Sequence, residues 1–268
     1  MTRDELLNHT RAALLPRNPE LEWVLAPENL LFLHLSGSRL YGTNTAESDY
    51  DVRGVTVAPK SYWVGARTFE QTQAQVPELG LDIAIYDFRR WLHLTVNVNP
   101  NVVETLYVPV DSDLVLQMNR QWWPKLVGRI KPLINRRAHA GYHGYATSQL
   151  KKMLTKQSNK TGRKELTEAY GLDTKFVMHG FRLARQGAEL LRTGNMTFPR
   201  PDAQQLRAIR DGKVYRDSET AIADWEKEAA VMDQALAESV LPDKADFAEQ
   251  NRILMDVYDE LASRLPDV

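Results

Sequence analysis

Apolar residues change their spacing part-way along the chain. Up to about Pro109 they come in short runs and alternations; from about Asn119 they recur every three to four residues. Leu31 to Leu35 (LFLHL) is an apolar run that stops at Gly37, which predicts a strand ended by a turn. Val52 to Val57 (VRGVTV) alternates and is β-branched, predicting a second strand. Leu81 to Tyr86 (LDIAIY) predicts a third, with Leu81, Ile83 and Ile85 on one face and Asp82 and Ala84 on the other. Asp87 then N-caps a helix through Trp91 and Leu94, and NPNVVETLYV turns at Pro100 and closes the unit. Beyond it, Gly141 to Thr155, Asp173 to Arg192 and Ile222 to Ser239 carry helical spacing. Asp246 to Leu265 is a last helix with Phe247, Leu254, Val257 and Leu261 as its stripe. The first residues, MTRDELLNHTRAALLP, form an amphipathic helix with Thr2 as N-cap and Glu5 at the capping-box position. Loops QSNKTGRK and TFPRPD punctuate the helical part. The pattern predicts an α+β fold, a small mixed-sheet head over residues 1–110 and an α-helical body over 111–268.

Composition narrows the chemistry. There are no cysteines, so disulfides and thiolate metal sites are excluded, any metal is held by oxygen or histidine, and a reducing cytoplasm is the default. The charged first turn reads as no signal peptide, and no stretch approaches the roughly 20 apolar residues of a membrane span. A net charge of −1 predicts no polyanionic partner, but its distribution does. From Leu114 to Lys164 there is no Asp or Glu, against Arg120, Lys125, Arg129, Lys131, Arg136, Arg137, Lys151, Lys152, Lys156, Lys160, Arg163 and Lys164. The part from Asp217 onward is acid-rich. Such segregation suits a phosphate-backbone partner; a solvated basic face is the plainer reading.

One stretch is poor core material. Ser36 to Gly54 reads SGSRLYGTNTAESDYDVRG. A strand passing through Gly37-Ser38 into a helix at Arg39, Leu40 and Tyr41 leaves backbone N–H groups unpaired at the helix start, a seat for phosphate. Asp49 and Asp51 stand one residue apart, so on extended backbone they share a face. They repel unless a cation lies between them, and hard oxygen donors select Mg²⁺ or Mn²⁺. If the strands neighbour one another, Asp82 joins them. Three carboxylates beside a phosphate seat suit two-metal phosphoryl transfer. A surface turn built on Asn44 and Ser48 is the bland alternative.

Gly37-Ser38, Asp49-Tyr50-Asp51 and Asp82 together resemble the signature of the DNA polymerase β-type nucleotidyltransferase superfamily. The fuller wording, GSRLYGT, SDYDVRG, LDIAIYDFRRWL and NPNVVETLY, is similar to its compact branch found in phages and in bacterial RNA-repair gene clusters (RlaP-type). The likeness continues through GYHGYATSQLKKM, KFVMHGFRLARQGAELL and the FPRP turn, from about residue 30 to 250. The resemblance implies a mixed-sheet nucleotidyltransferase head. It implies Asp49 and Asp51 as ligands of both metals, Asp82 as third ligand and aid to deprotonation, and Gly37 and Ser38 on the β- and γ-phosphates. Arg39 and Tyr41 would line the helix start.

The helical half adds candidates of its own. Lys175, His179 and Arg182 stand at i, i+4 and i+7 on one face, opposite Val177, Phe181, Ala184 and Leu191, a cationic stripe for a triphosphate or a nucleic-acid end, or merely a solvated face. Lys151 and Lys152 with Tyr142, His143 and Tyr145 interleave cations and aromatics as single-stranded RNA binders do, although the tyrosines also suit a core. His34 and His93 read as packed histidines, and Trp122, Trp123 and Trp225 as packing residues. His139 and His143 have the spacing for a metal but lack the accompanying Glu of a zinc motif. The expected activity is Mg²⁺-dependent transfer of an NMP from an NTP such as ATP to an RNA end, a tRNA among them. Transfer to a protein or small-molecule hydroxyl is the second reading, and a non-catalytic nucleotide- or RNA-binding module the third.

Overall fold

The computed structural model describes residues 1–17, 19–155 and 172–266. The QSNKTGRK loop, with Lys156, Lys160, Arg163 and Lys164, therefore lies outside the described residues. Helix α1 (Arg3–Leu14) opens the chain, its capping box formed as Thr2 accepts from the Glu5 amide and the Glu5 carboxylate from the Thr2 amide. There follow β1 (Leu30–Leu35), α2 (Gly37–Tyr41), β2 (Tyr50–Thr56), α3 (Lys60–Val64), β3 (Gln71–Val76) and β4 (Leu81–Asp87). Next come α4 (Phe88–Val96), α5 (Pro100–Val103), β5 (Val115–Met118), α6 (Trp123–Ile130) and α7 (Arg137–Thr155). The described part ends with α8 (Thr174–Thr193), α9 (Ala203–Arg210), α10 (Ser218–Ala237) and α11 (Phe247–Glu260). The fold is α+β. Among the described residues, no helix is long and apolar enough to cross a membrane.

The five strands form one sheet in the order β3-β4-β2-β1-β5. Only β2 and β4 run parallel; the other pairs are antiparallel. Strand β1 is buried along its whole length, which accounts for its near-continuous apolar run. One sheet face, carrying Leu33, Leu35, Val52, Ala74, Ile83 and Ile85, packs with Leu6 and Leu14 of α1 and with Trp23, Tyr62 and Phe69. Phe32 points to the other face and stacks on Trp123 of α6 at 4.4 Å, and Trp123 meets Trp91 of α4 at 5.3 Å. Strands β3 and β5 were not among the expected three. QTQAQV hides its alternation behind small buried residues, Thr72 and Ala74, and β5 is four residues long.

The chain divides into two compact units, and neither is continuous. The first holds Met1–Val96, Thr105–Leu133 and Ala245–Val268; the second holds Asn97–Glu104 and Ile134–Lys244. Residue 110, where the pattern ends the head, falls inside the first unit because β5 pairs with β1. The last helix belongs there too. Arg129 of α6 donates to Glu249 at 2.8 Å and to Asp256 at 2.6 Å, both on α11. The face α11 buries is Ile253 and Val257, with Leu254 half-buried. Phe247, expected in the stripe, is 77% exposed. At about 100° per residue it stands some 80° round the helix from Val257 and 120° from Ile253.

In the second unit α8 packs against α7, α9 and α10. Tyr142 of α7 is fully buried against Gly187 of α8 and Met232 of α10 in that unit, a core residue. Arg185 ties α8 to α10 through Glu228 at 2.7 Å and to the start of α9 through Asp202 at 3.0 Å. Arg200 is bound by Glu189 and Asp202. Arg136 pairs with Asp243 at 3.1 Å, and His139 with Asp233 at 2.6 Å. Together with Arg129, these contacts show that charges segregated along the sequence are partly paired in space, each within its own unit. Arg129 and Arg136 are thereby withdrawn from the basic face that the acid-free run suggested.

Candidate active site

The GSRLY segment leaves β1 where the buried strand runs out. Ser36 donates its amide to the Asp51 carbonyl at 2.7 Å, so the turn is pinned to the start of β2. Gly37 follows with φ +61°, a backbone state that costs other residues about 1 to 2 kcal/mol. A second constraint is stronger. A Cβ at Gly37 would lie 1.9 Å from Asp51 Oδ2. Only glycine lets the turn lie against that carboxylate. Helix α2 is five residues long and its N-cap, Ser36, makes no side-chain capping bond.

Asp51 and Asp82 are direct partners in the parallel β2–β4 ladder. Their side chains leave the same sheet face, opposite the packed Val52 and Ile83. Asp49 precedes β2 by one residue, exposed, its Oδ1 3.0 Å from where a Cβ of Gly80 would stand. Among the described residues, no group of three or more His, Asp or Glu side chains is close enough to hold a metal ion. The pair Asp51–Asp82 is assembled, but the expected third carboxylate does not join it: Asp49 lies in the loop before β2, with its Oδ1 against Gly80.

What separates the two like charges is Arg53. Its Nη2 lies 3.3 Å from Asp51 Oδ1 and its Nη1 3.1 Å from Asp82 Oδ1. Gln75 of β3 donates to Asp82 Oδ2 at 3.1 Å, so both Asp82 oxygens are held. Side-chain exposures of 28% for Asp51 and 39% for Asp82 keep the carboxylates within reach of solvent and solutes. Neither Arg53 nor Gln75 was among the expected site residues. Arg53 was legible in principle, two residues past Asp51 on the same strand face. Gln75 was not, since it depends on the pairing of β3 with β4.

Arg39 holds the loop. Its Nη2 donates to the Ser48 carbonyl at 2.9 Å, Nε donates to the Asp49 carbonyl at 3.3 Å, and its guanidinium lies 3.6 Å over the Tyr50 ring. Tyr50 Oη accepts from the Met1 amine at 2.9 Å, the main cause of a lowered phenol pKa. Tyr41 is buried and Ser38 half-exposed.

His34 sits directly across from Arg53 on β1. It is fully buried, with Nδ1 3.0 Å from the Leu35 carbonyl oxygen and Nε2 3.4 Å from Thr105 Oγ1. Burial is the chief cause that pushes its pKa down from 6.5 to about 4, with the Arg53 charge adding to it. The fold thus favours the neutral ring, and its contribution to stability is complete above pH 6.5 and lost as the pH falls toward about 4. The interval corresponds to about 3 kcal/mol. Urea midpoints at pH 7.5 and 4.5 should differ more for the wild type than for His34→Gln; equal differences would refute this role.

The helical candidates are distributed differently from a solvated stripe. Lys175 and His179 are half-buried, and Arg182 is 4% exposed and donates to Gln186 one turn on. Helix α8 is central to its unit, so this face is largely covered. Lys152 is half-buried at the end of α7, Lys151 is exposed and Tyr145 half-buried. His143 lies 5.7 Å from the Trp225 ring and 5.4 Å from His139. His93, expected to be packed, is exposed, because α4 buries positions 88, 91, 92, 95 and 96 and leaves 93 outside.

A family model described as the RNA repair pathway DNA polymerase beta family (RlaP) matches residues 10–255. Among solved structures, the chain is similar to a nucleotidyltransferase-like protein from Exiguobacterium sibiricum. Identity there is 12% and the TM-score 0.29, over 91% of this chain and 78% of that one, too distant to bear on the site. No curated protein matches.

Proposed function

The chain belongs to the RNA repair pathway DNA polymerase β family and is a nucleotidyltransferase of the polymerase β type, and from that premise we propose that it moves an NMP from an NTP to a hydroxyl at an RNA end. The observation that carries the reading is the Asp51–Asp82 pair, in register on parallel strands, with the Gly37 turn against Asp51. Polymerase β-type nucleotidyltransferases use divalent metals. The donor set fits such an ion: carboxylate oxygens, hard and partly exposed, from Asp51 and Asp82. Bound there, Mg²⁺ or Mn²⁺ supplies Lewis acidity to the phosphates and to the attacking hydroxyl.

The chain's own residues do the rest. Gly37 and Ser38 offer first-turn N–H groups and a hydroxyl to the β- and γ-phosphates. Arg39, clamped over Tyr50, fixes the loop that carries Asp49. The acceptor oxygen forms a bond to the α-phosphorus as the bond to pyrophosphate breaks, and Asp82 helps to take the hydroxyl proton. In the second unit Lys152, Lys175 and His179, each half-buried, are candidates for contact with the RNA, and a tRNA is one such acceptor; Arg182, 4% exposed and bonded to Gln186, serves the packing of α8.

Incubation with α-labelled NTPs, Mg²⁺ and RNA should transfer label to RNA ends. No transfer to any RNA, with Asp49→Ala indistinguishable from wild type, refutes the proposal. A protein or small-molecule hydroxyl is the second reading, favoured by the pairing of Arg129 and Arg136 with acids. Salt separates the two, because RNA binding weakens steeply as counterions compete, whereas use of a small neutral acceptor does not.

A further inference from the structure

Arg53 touches two of the carboxylates on which the proposed chemistry depends, and it is anchored independently of both. Its Nη1 donates to the main-chain carbonyls of Val52 and Asp82, each at 2.9 Å, besides its contacts with Asp51 Oδ1 and Asp82 Oδ1. The two kinds of bond differ in what can replace them. A divalent ion can claim the carboxylate oxygens. The backbone carbonyls belong to the β2–β4 region and keep the guanidinium in place when it does.

We infer that Arg53 is a resident counter-cation that holds Asp51 and Asp82 together without nucleotide and keeps the site's affinity for divalent ions low until a triphosphate brings compensating charge. The inference rests on the metal-dependent reading above and deepens it. Two effects of Arg53 oppose one another. Ordering the carboxylates favours ion binding, and its positive charge disfavours it. The ordering contribution is small, because the ladder already sets Asp51 opposite Asp82, Gly37 abuts one carboxylate, and Gln75 holds the other. Charge repulsion acts at contact, with the guanidinium 3.1 to 3.3 Å from the oxygens an ion would take in a partly exposed site, and it dominates.

Mn²⁺ binding, followed by electron paramagnetic resonance and calorimetry with and without a non-hydrolysable NTP analogue, tests the inference apart from activity. Wild type should bind Mn²⁺ weakly alone and more tightly with the analogue. Arg53→Gln should bind Mn²⁺ alone at least about tenfold more tightly than wild type, and gain less from the analogue. Arg53→Lys keeps the charge but replaces the two-armed hold with a displaceable ammonium, so it should fall between. A folded Arg53→Gln with unchanged or weaker Mn²⁺ affinity overturns the inference and leaves the metal-dependent reading standing. Should that variant not fold, Arg53→Lys carries the test: binding at least about threefold tighter than wild type supports the inference, and unchanged binding overturns it. If wild type does not bind Mn²⁺ even with the analogue, or Asp51→Asn binds it as wild type does, the metal-dependent reading itself fails and takes the inference with it.

Discussion

Gly37→Ala lowers nucleotidyl transfer by at least about a hundredfold while the protein stays folded. The methyl group would stand 1.9 Å from Asp51 Oδ2, a separation no Cβ tolerates, on a residue whose φ is +61°. Either the turn lifts away from β2 or the carboxylate rotates away from Asp82. The backbone strain costs about 1 to 2 kcal/mol, too little to unfold an ordinary domain. The loss in rate is larger because a misplacement of about 1 Å in a reacting site can cost about a hundredfold. Steady-state kinetics beside a urea titration separate the two. Activity within about threefold of wild type would remove the turn from the site.

Asp51→Asn and Asp82→Asn each lower transfer by about a thousandfold, the equivalent of about 4 kcal/mol of transition-state stabilisation. Asparagine keeps the shape and can still turn its oxygen to Arg53, but it withdraws the charge and sets an N–H₂ group where Oδ2 stood, towards the Gly37 turn at position 51 and towards Gln75 at position 82. Folding stability changes little by comparison, because removing one of two facing negative charges offsets the lost ion pair with Arg53. The two variants should resemble each other, since Arg53 holds both carboxylates. A residual activity above a tenth of wild type for either would show that its carboxylate lies outside the chemistry.

Much of the site was legible in the chain because its constraints are local. Gly37-Ser38 ends an apolar run, and Asp51 falls on the polar face of a strand; the same period was extended to Asp49, which lies in the loop before β2. Asp82 was legible as the polar face of LDIAIY, but its placement opposite Asp51 is a matter of register between segments about 30 residues apart. The Lys175, His179 and Arg182 stripe shows the reverse. Helical spacing located it correctly on α8, yet periodicity cannot say whether a neighbour covers that face, and Arg182 is 4% exposed. The charge run from Leu114 to Lys164 is incomplete in the same way, for two of its cations, Arg129 and Arg136, find their acids more than a hundred residues onward.

Read alone, the chain settles that β1, β2, β4 and the longer helices form, where the first helix is capped, and that oxygen or histidine rather than cysteine sulfur must meet any metal. Those properties depend on neighbours a few residues away, and their physics is side-chain period, backbone freedom and donor type. Folding in three dimensions decided the five-strand order, the return of α11 to the first unit, the guanidinium between Asp51 and Asp82, and the carboxylate against Gly37. Each of these depends on which distant segments pair and in what register, and that is set by the packing of a whole sheet face rather than by any stretch of sequence within it.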